Sequence, residues 1–301
     1  MKKKVLIISL AALLFLLALG LTLYPLIANR YNQRHQSEIH TAYQEQVAQA
    51  DKTEIVAARE KAIAYNETLV SGVQAEDAFS NEALTGASEN YGTLLNLTGN
   101  GIMGYVEIPN IAVTLPIYHG TDADTLEIGI GHLLGTSLPV GGESTHTVLT
   151  AHSGMANQKM FSDLDLVKEG DVFYLEILDE ILAYQVDAIN VVLPHDTTHL
   201  GITTGEDYCT LVTCTPFGVN THRLLVRGTR IPYEEAEIIV EEIQQEEQPR
   251  SNWEEMYMLG IWLGVLAVLI VALIVIICLI VRNNRRAKRR RRRRGGKYAK
   301  K

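Results

Sequence analysis

Seven short runs of apolar and β-branched residues, at 105–108, 113–118, 147–151, 172–178, 182–193, 208–213 and 224–231, alternate with Gly- and Pro-bearing turns between Gly104 and Pro232. So dense a series points to a mainly β domain that closes, or nearly closes, into a barrel rather than to alternating βαβ units. One of its turns carries chemistry. The run 208–213 leads into Cys214, Pro216 and Gly218 interrupt it, and Arg223 opens the next run with Leu224, Leu225 and Val226. If the two strands pair antiparallel around the loop 215–222, Cys214 and Arg223 stand opposite one another with Cβ atoms about 5 Å apart. A thiol and a guanidinium would then share one rim of the sheet.

The string Thr210-Leu211-Val212-Thr213-Cys214, followed by Arg223, resembles the sortase family, whose TLxTC signature and arginine it reproduces. The longer string Cys-Thr-Pro-Phe-Gly-Val-Asn-Thr-His-Arg-Leu-Leu-Val-Arg-Gly, from Cys214 to Gly228, is similar to class C, the pilus-polymerising branch. The family's histidine falls on His152, within Leu149-Thr150-Ala151-His152-Ser153-Gly154, and similarity continues through 104–109 and 131–142, covering about residues 100 to 232. The resemblance implies an eight-stranded barrel with short helices. It also implies a cysteine transpeptidase: Cys214 cleaves an LPxTG-type sorting signal between Thr and Gly, holds the acyl group as a thioester and passes it to an amine. In class C that amine is a lysine of a pilin subunit. The same chemistry with the peptidoglycan cross-bridge as acceptor is the alternative within the family, and a hydrolytic thiol peptidase or a non-catalytic membrane-anchored scaffold are the alternatives outside it.

The residue types suit that chemistry independently. A cysteine nucleophile needs thiolate character, which a nearby histidine or arginine supplies. His152 ends the run 147–151 and so projects from a strand terminus, placed to carry a proton to the leaving amine. Arg223 offers five fixed donors to an oxyanion or to substrate carbonyls, a fork that lysine does not reproduce. Other candidates weigh less: His222 adjoins Arg223 and faces the other way, Arg227 lies four residues beyond it, about 13 Å along a strand, and His132 and His146 fall in glycine-rich loops as structural residues. Cys209 and Cys214 are about 16 Å apart on one strand, with opposite facing, beyond the Cα limit of about 7 Å for a disulfide. Cys214 therefore reads as a working thiol and Cys209 as a buried, inert one. The spacing of these two cysteines matches no usual zinc motif, and there is no P-loop or GxGxxG opening a helix. No metal and no cofactor are expected.

Two apolar runs bracket this segment. Residues 5–23 follow Lys2, Lys3 and Lys4 and reach about 29 Å as a helix; residues 259–281 reach about 35 Å and contain Cys278. The second is expected to be a transmembrane helix, and the first is either a retained anchor or a cleaved signal peptide. Thirteen basic residues, including the run 289–294, follow the second run, so both ends are expected inside and the catalytic segment outside. All 35 acidic residues but only 11 of the 27 basic ones lie between the runs, which leaves the ectodomain strongly acidic. Nucleic acid is thereby disfavoured as a partner, while the basic tail suits anionic lipid.

The expected organisation is an anchor or signal peptide at 1–28, a helical region at 29–70, a loop at 71–101, the barrel at 102–232, an acidic linker or helix at 233–258, the transmembrane helix at 259–281 and a basic cytoplasmic tail at 282–301. The helical region shows apolar residues at spacings of three and four, from Ile39, Tyr43 and Val47 to Ile55, Ala58, Ala62, Tyr65 and Leu69. The loop is long and polar, which marks a functional lid or a disordered segment. Class C members carry a lid whose Asp-Pro-aromatic tripeptide plugs the active site, and Asp77-Ala78-Phe79 falls at that place. The resemblance implies that Asp77 pairs with Arg223 and Phe79 covers the thiol, with Ala78 in place of the proline making the lid less rigid.

Overall fold

The computed structural model describes residues 2–69, 77, 79, 90–155, 158–245, 258–277 and 280–282. The chain divides into two compact units: Met1–Ile27 with Glu254–Lys301, and Ala28–Trp253. In the first, the helix Met258–Arg282 is long and apolar enough to cross a membrane; Cys278 lies outside the described residues.

The second unit is built on a closed barrel of eight strands: β1 (Ile102–Ile108), β2 (Val113–His119), β3 (Ile130–His132), β4 (Thr145–Thr150), β5 (Val172–Ile177), β6 (Glu180–Val192), β7 (Asp207–Thr215) and β8 (His222–Ile231). Their order around the wall is β1-β2-β3-β4-β7-β8-β6-β5. Two pairings, β2 with β3 and β4 with β7, are parallel, and the rest are antiparallel. The barrel therefore has the expected eight strands, but β3 is a strand where the sequence suggests a glycine-rich loop. His132 and His146 accordingly sit in β3 and β4. A short helix α3 (Ala123–Ile128) makes the crossover from β2 to β3, as a parallel connection requires.

Side chains alternate across the wall. Leu149, Leu211, Leu224 and Val226 point into the main core with Phe161, Phe173 and Tyr184. Gly228 is required by that packing: a Cβ there would lie 2.6 Å from the Phe173 ring and 2.9 Å from Cβ of Tyr184. In β6 the register shifts between Val186 and Ala188. Asp187, the extra residue, reaches Arg227 at 2.7 Å, and that guanidinium lies 4.2 Å from the Tyr208 ring centroid. Arg227 is thus occupied away from Arg223.

Helices α1 (Lys2–Gln49) and α2 (Lys52–Glu67) precede the barrel. Asp51 separates them, its extended backbone and side-chain acceptor starting α2. Tyr43 and Val47 of α1 and Ile55 and Ala62 of α2 are buried in the main core, so this region caps the barrel. Polar contacts fix it: Tyr43 Oη donates to the Met103 carbonyl and accepts from Leu178 N, and the Asn66 amide bonds both backbone groups of Leu138. The acidic segment after β8 begins with helix α4 (Tyr233–Gln245), whose Ala236 is buried against Val172, Tyr174 and Ala183.

Candidate active site

Cys214 and Arg223 are register partners across the β7–β8 pair. The parallel β4–β7 pairing sets Thr150 beside Val212, and Ala151 N donates to the Val212 carbonyl at 3.1 Å. His152 and Cys214 thus emerge level with one another at one end of neighbouring strands. The signature residues hold this junction. Leu211 is fully buried in the core, and Thr213 Oγ1 donates to the Ala151 carbonyl at 2.8 Å, immediately before His152. Thr210 Oγ1 bonds His146 Nε2 at 2.7 Å, while His146 Nδ1 donates to the Gly201 carbonyl at 2.9 Å, tying the connection between β6 and β7 to the wall. Burial pushes His146 down to about 4, so it serves as a neutral tie. From the segment after His152, Ser153 Oγ donates to the Cys214 carbonyl at 2.7 Å. The roles of Ser153 and His146 are not legible in the sequence, because they depend on partners some sixty residues away.

Cys214 lies two residues beyond Val212, and Arg223 two before Leu225, so both project from the outer face of the wall. On that face Leu133, Val148, Val192, Leu200, Val212 and Leu225 form a second apolar cluster, and Phe79 packs on it. The Phe79 ring centroid is 5.7 Å from that of His152 and 4.8 Å from the Arg223 guanidinium carbon. Asp77 takes both arms of the same guanidinium, at 3.0 Å from Nε and 2.6 Å from Nη2. Nη1 of Arg223 donates to the His222 carbonyl at 3.2 Å. Asp77, Phe79, His152, Cys214 and Arg223 are therefore brought together, whereas Ala78 lies outside the described residues.

Electrostatics favours the uncharged pair in this arrangement. Burial pushes the Cys214 thiol up, Arg223 opposes that shift and Asp77 adds to it. Burial lowers His152, opposed by the negative charge of Glu127. Thiol and neutral imidazole follow from the two directions together. Cys209 is fully buried on the inner face and its thiol is raised far more. His195 and His199 form a His-x3-His pair in the connection between β6 and β7, but no group of three or more metal-ligating side chains occurs among the described residues.

A family model described as "Sortase domain" matches residues 106–231. The crystal structure of sortase C-1 from Streptococcus pneumoniae superposes with a TM-score of 0.61 at 45% identity, covering 65% of this chain and 99% of that one. The pilus-related sortase C of group B Streptococcus gives 0.58 at 44%, covering 64% and 96%. Sortase D of Bacillus subtilis (strain 168) is 27% identical over 55% of this chain and 81% of its own length. Barrel, site and relatives together define a cysteine transpeptidase. The chain belongs to the sortase family, a cell-surface family, and its solved neighbours are of class C.

Proposed function

We propose that Cys214 is the nucleophile, His152 the proton carrier and Arg223 the oxyanion donor of a class C sortase that joins pilin subunits. The observation that carries this reading is the register: Arg223 opposite Cys214 on one side, His152 level with it on the other. Cys214 Sγ attacks the Thr carbonyl of an LPxTG-type signal, Arg223 receives the developing negative oxygen, and His152 protonates the departing Gly amine. A thioester on Cys214 remains, and a pilin lysine resolves it to an isopeptide. The helix Met258–Arg282 and the basic tail tether the enzyme through lipid contact, with the barrel outside the cell and the tail inside.

The test is intact-mass analysis of the enzyme after incubation with an LPxTG peptide, followed by addition of candidate pilins. An acyl adduct ending at Thr, resolved to a lysine conjugate, is expected. Free acid as the sole product would instead favour a hydrolase, and transfer to cross-bridge peptides alone would favour wall anchoring.

Asp77 and Phe79 act as a closed lid in this reading, since Asp77 occupies the donors that the oxyanion needs. Asp77→Ala removes a charge-assisted bidentate contact. Labelling of Cys214 by a small thiol reagent is expected to accelerate roughly tenfold. Because the Asp77 carboxylate raises the thiol pKa and Arg223 lowers it, the labelling profile also moves toward lower pH. Unchanged labelling kinetics would refute the lid.

A further inference from the structure

We propose that Glu127 receives the ammonium group of the acceptor lysine and holds it beside His152. This rests on the transpeptidase reading above and identifies how its second substrate is recognised. The geometry comes from β3 and β4, paired Gly131 to Thr150 and His132 to Leu149. Two residues further along that antiparallel register, Gly129 comes beside His152. Helix α3 ends at Ile128, so that register brings its last turn toward the His152 backbone. It is held there: Leu126 is buried, and a Cβ on Gly131 would come 3.1 Å from Leu126 Cδ2 and 2.3 Å from the Gly120 carbonyl. The Glu127 carbonyl accepts from Gln158 Nε2 at 2.9 Å, and the segment carrying Gln158 returns to His152, whose carbonyl accepts from Phe161 N at 3.0 Å.

The Glu127 side chain is exposed and has no Lys or Arg partner among the described residues. No lysine or arginine occurs anywhere from residue 62 to residue 158. Lys159, the first to follow, is engaged by Asp163 at 2.9 Å and by the Ile111 carbonyl at 2.6 Å. Phe79 covers the apolar cluster between His152 and Arg223, and on the opposite flank Arg223 supplies positive charge. The two flanks of Cys214 thus differ in charge, cationic at Arg223 and anionic beyond His152, toward Glu127. A lysine arrives as a cation, and the anionic flank is the one that also holds the base it must meet.

The step balances without any further reagent. The ammonium gives one proton to His152, and the amine nitrogen attacks the thioester carbonyl. The C–N bond forms, the C–S bond breaks and its electron pair goes to Sγ. The imidazolium then protonates the sulfur, and the second proton lost by nitrogen passes to solvent. Glu127 is a positioning residue in this sequence, and Arg223 serves the oxyanion as before.

The experiment compares a charged with a neutral acceptor on the full-length enzyme, using an LPxTG peptide as acyl donor. A blocked lysine amide is cationic at neutral pH, its ε-amino group titrating near 10.4; hydroxylamine is uncharged there. Glu127→Gln is expected to lower the ratio of kcat/KM for lysine to that for hydroxylamine about threefold to fivefold, as for an exposed ion pair. The loss is expected in KM for lysine. Glu127→Lys should lower the ratio at least about tenfold, Glu127→Asp should largely restore it, and high salt should shrink these differences. A ratio unchanged in both Glu127→Gln and Glu127→Lys overturns the inference, even if both rates fall together. Hydroxamate from the wild type with no lysine product would overturn the pilin reading as well, and no hydroxamate at all would overturn the transpeptidase assignment of Cys214.

Discussion

Cys214→Ala is expected to reduce conjugate formation to background, a loss of at least about a thousandfold, with the barrel intact. Sγ is half-buried on the outer face, and the core on the inner face is built by Leu211 and Cys209 instead. Removing one sulfur atom there costs less than about 1 kcal/mol of burial, which moves the melting temperature by only a few degrees in a domain of this size. The Thr213 and Ser153 ties use backbone carbonyls and survive the substitution. Two measurements therefore separate: the acyl adduct vanishes from the mass spectrum while the thermal transition stays nearly in place. Persistent conjugates from the alanine variant would dismiss Cys214 as the nucleophile.

Arg223→Lys is expected to lower turnover about a hundredfold to a thousandfold, the range for loss of a well-placed oxyanion donor. A charge argument alone would predict little change, because lysine also stabilises a thiolate. The difference lies in the fork. Arg223 presents Nε and Nη2 together to Asp77, and an ammonium cannot match that planar pair. The same substitution should loosen the lid and speed thiol labelling of Cys214. Slower transfer with faster labelling at an unchanged melting transition separates this local effect from general unfolding of the site, which would give the first two but shift the third. Transfer near the wild-type rate would remove Arg223 from the oxyanion role.

What could be read from the chain and what could not differ in the range of the interactions involved. The opposition of Cys214 and Arg223 follows from a hairpin, where a short turn sets the partners, and strands β7 and β8 pair in that register. The helical spacing from Ile39 to Tyr65 was likewise local, and those residues pack on the core. Strand β3 left no such trace. It has three residues, two of them Gly131 and His132, and it is a strand because β2 and β4 flank it. Its glycine reflects the Gly120 carbonyl, 2.3 Å from where a Cβ would stand. The neutral preference of Cys214 and His152 has no sequence signal either, because burial determines it, with Asp77 reinforcing it at the thiol and Glu127 opposing it at the imidazole. Glu127 likewise carries no sequence signal, lying 25 positions before the histidine that its charge affects.

The parallel pairing of β4 with β7 carries a consequence for when the thiol becomes dangerous. Thr213 and Ala151, which bond across it, are 62 positions apart in the chain. Closing so long a loop is entropically costly, and contacts of that separation tend to form late in folding. While β7 and β8 can assemble as a local hairpin, His152 joins them only when the wall closes. Until then Cys214 stands without the imidazole beside it. Under the roles proposed above, the nucleophile therefore gains its proton carrier only as the barrel is completed.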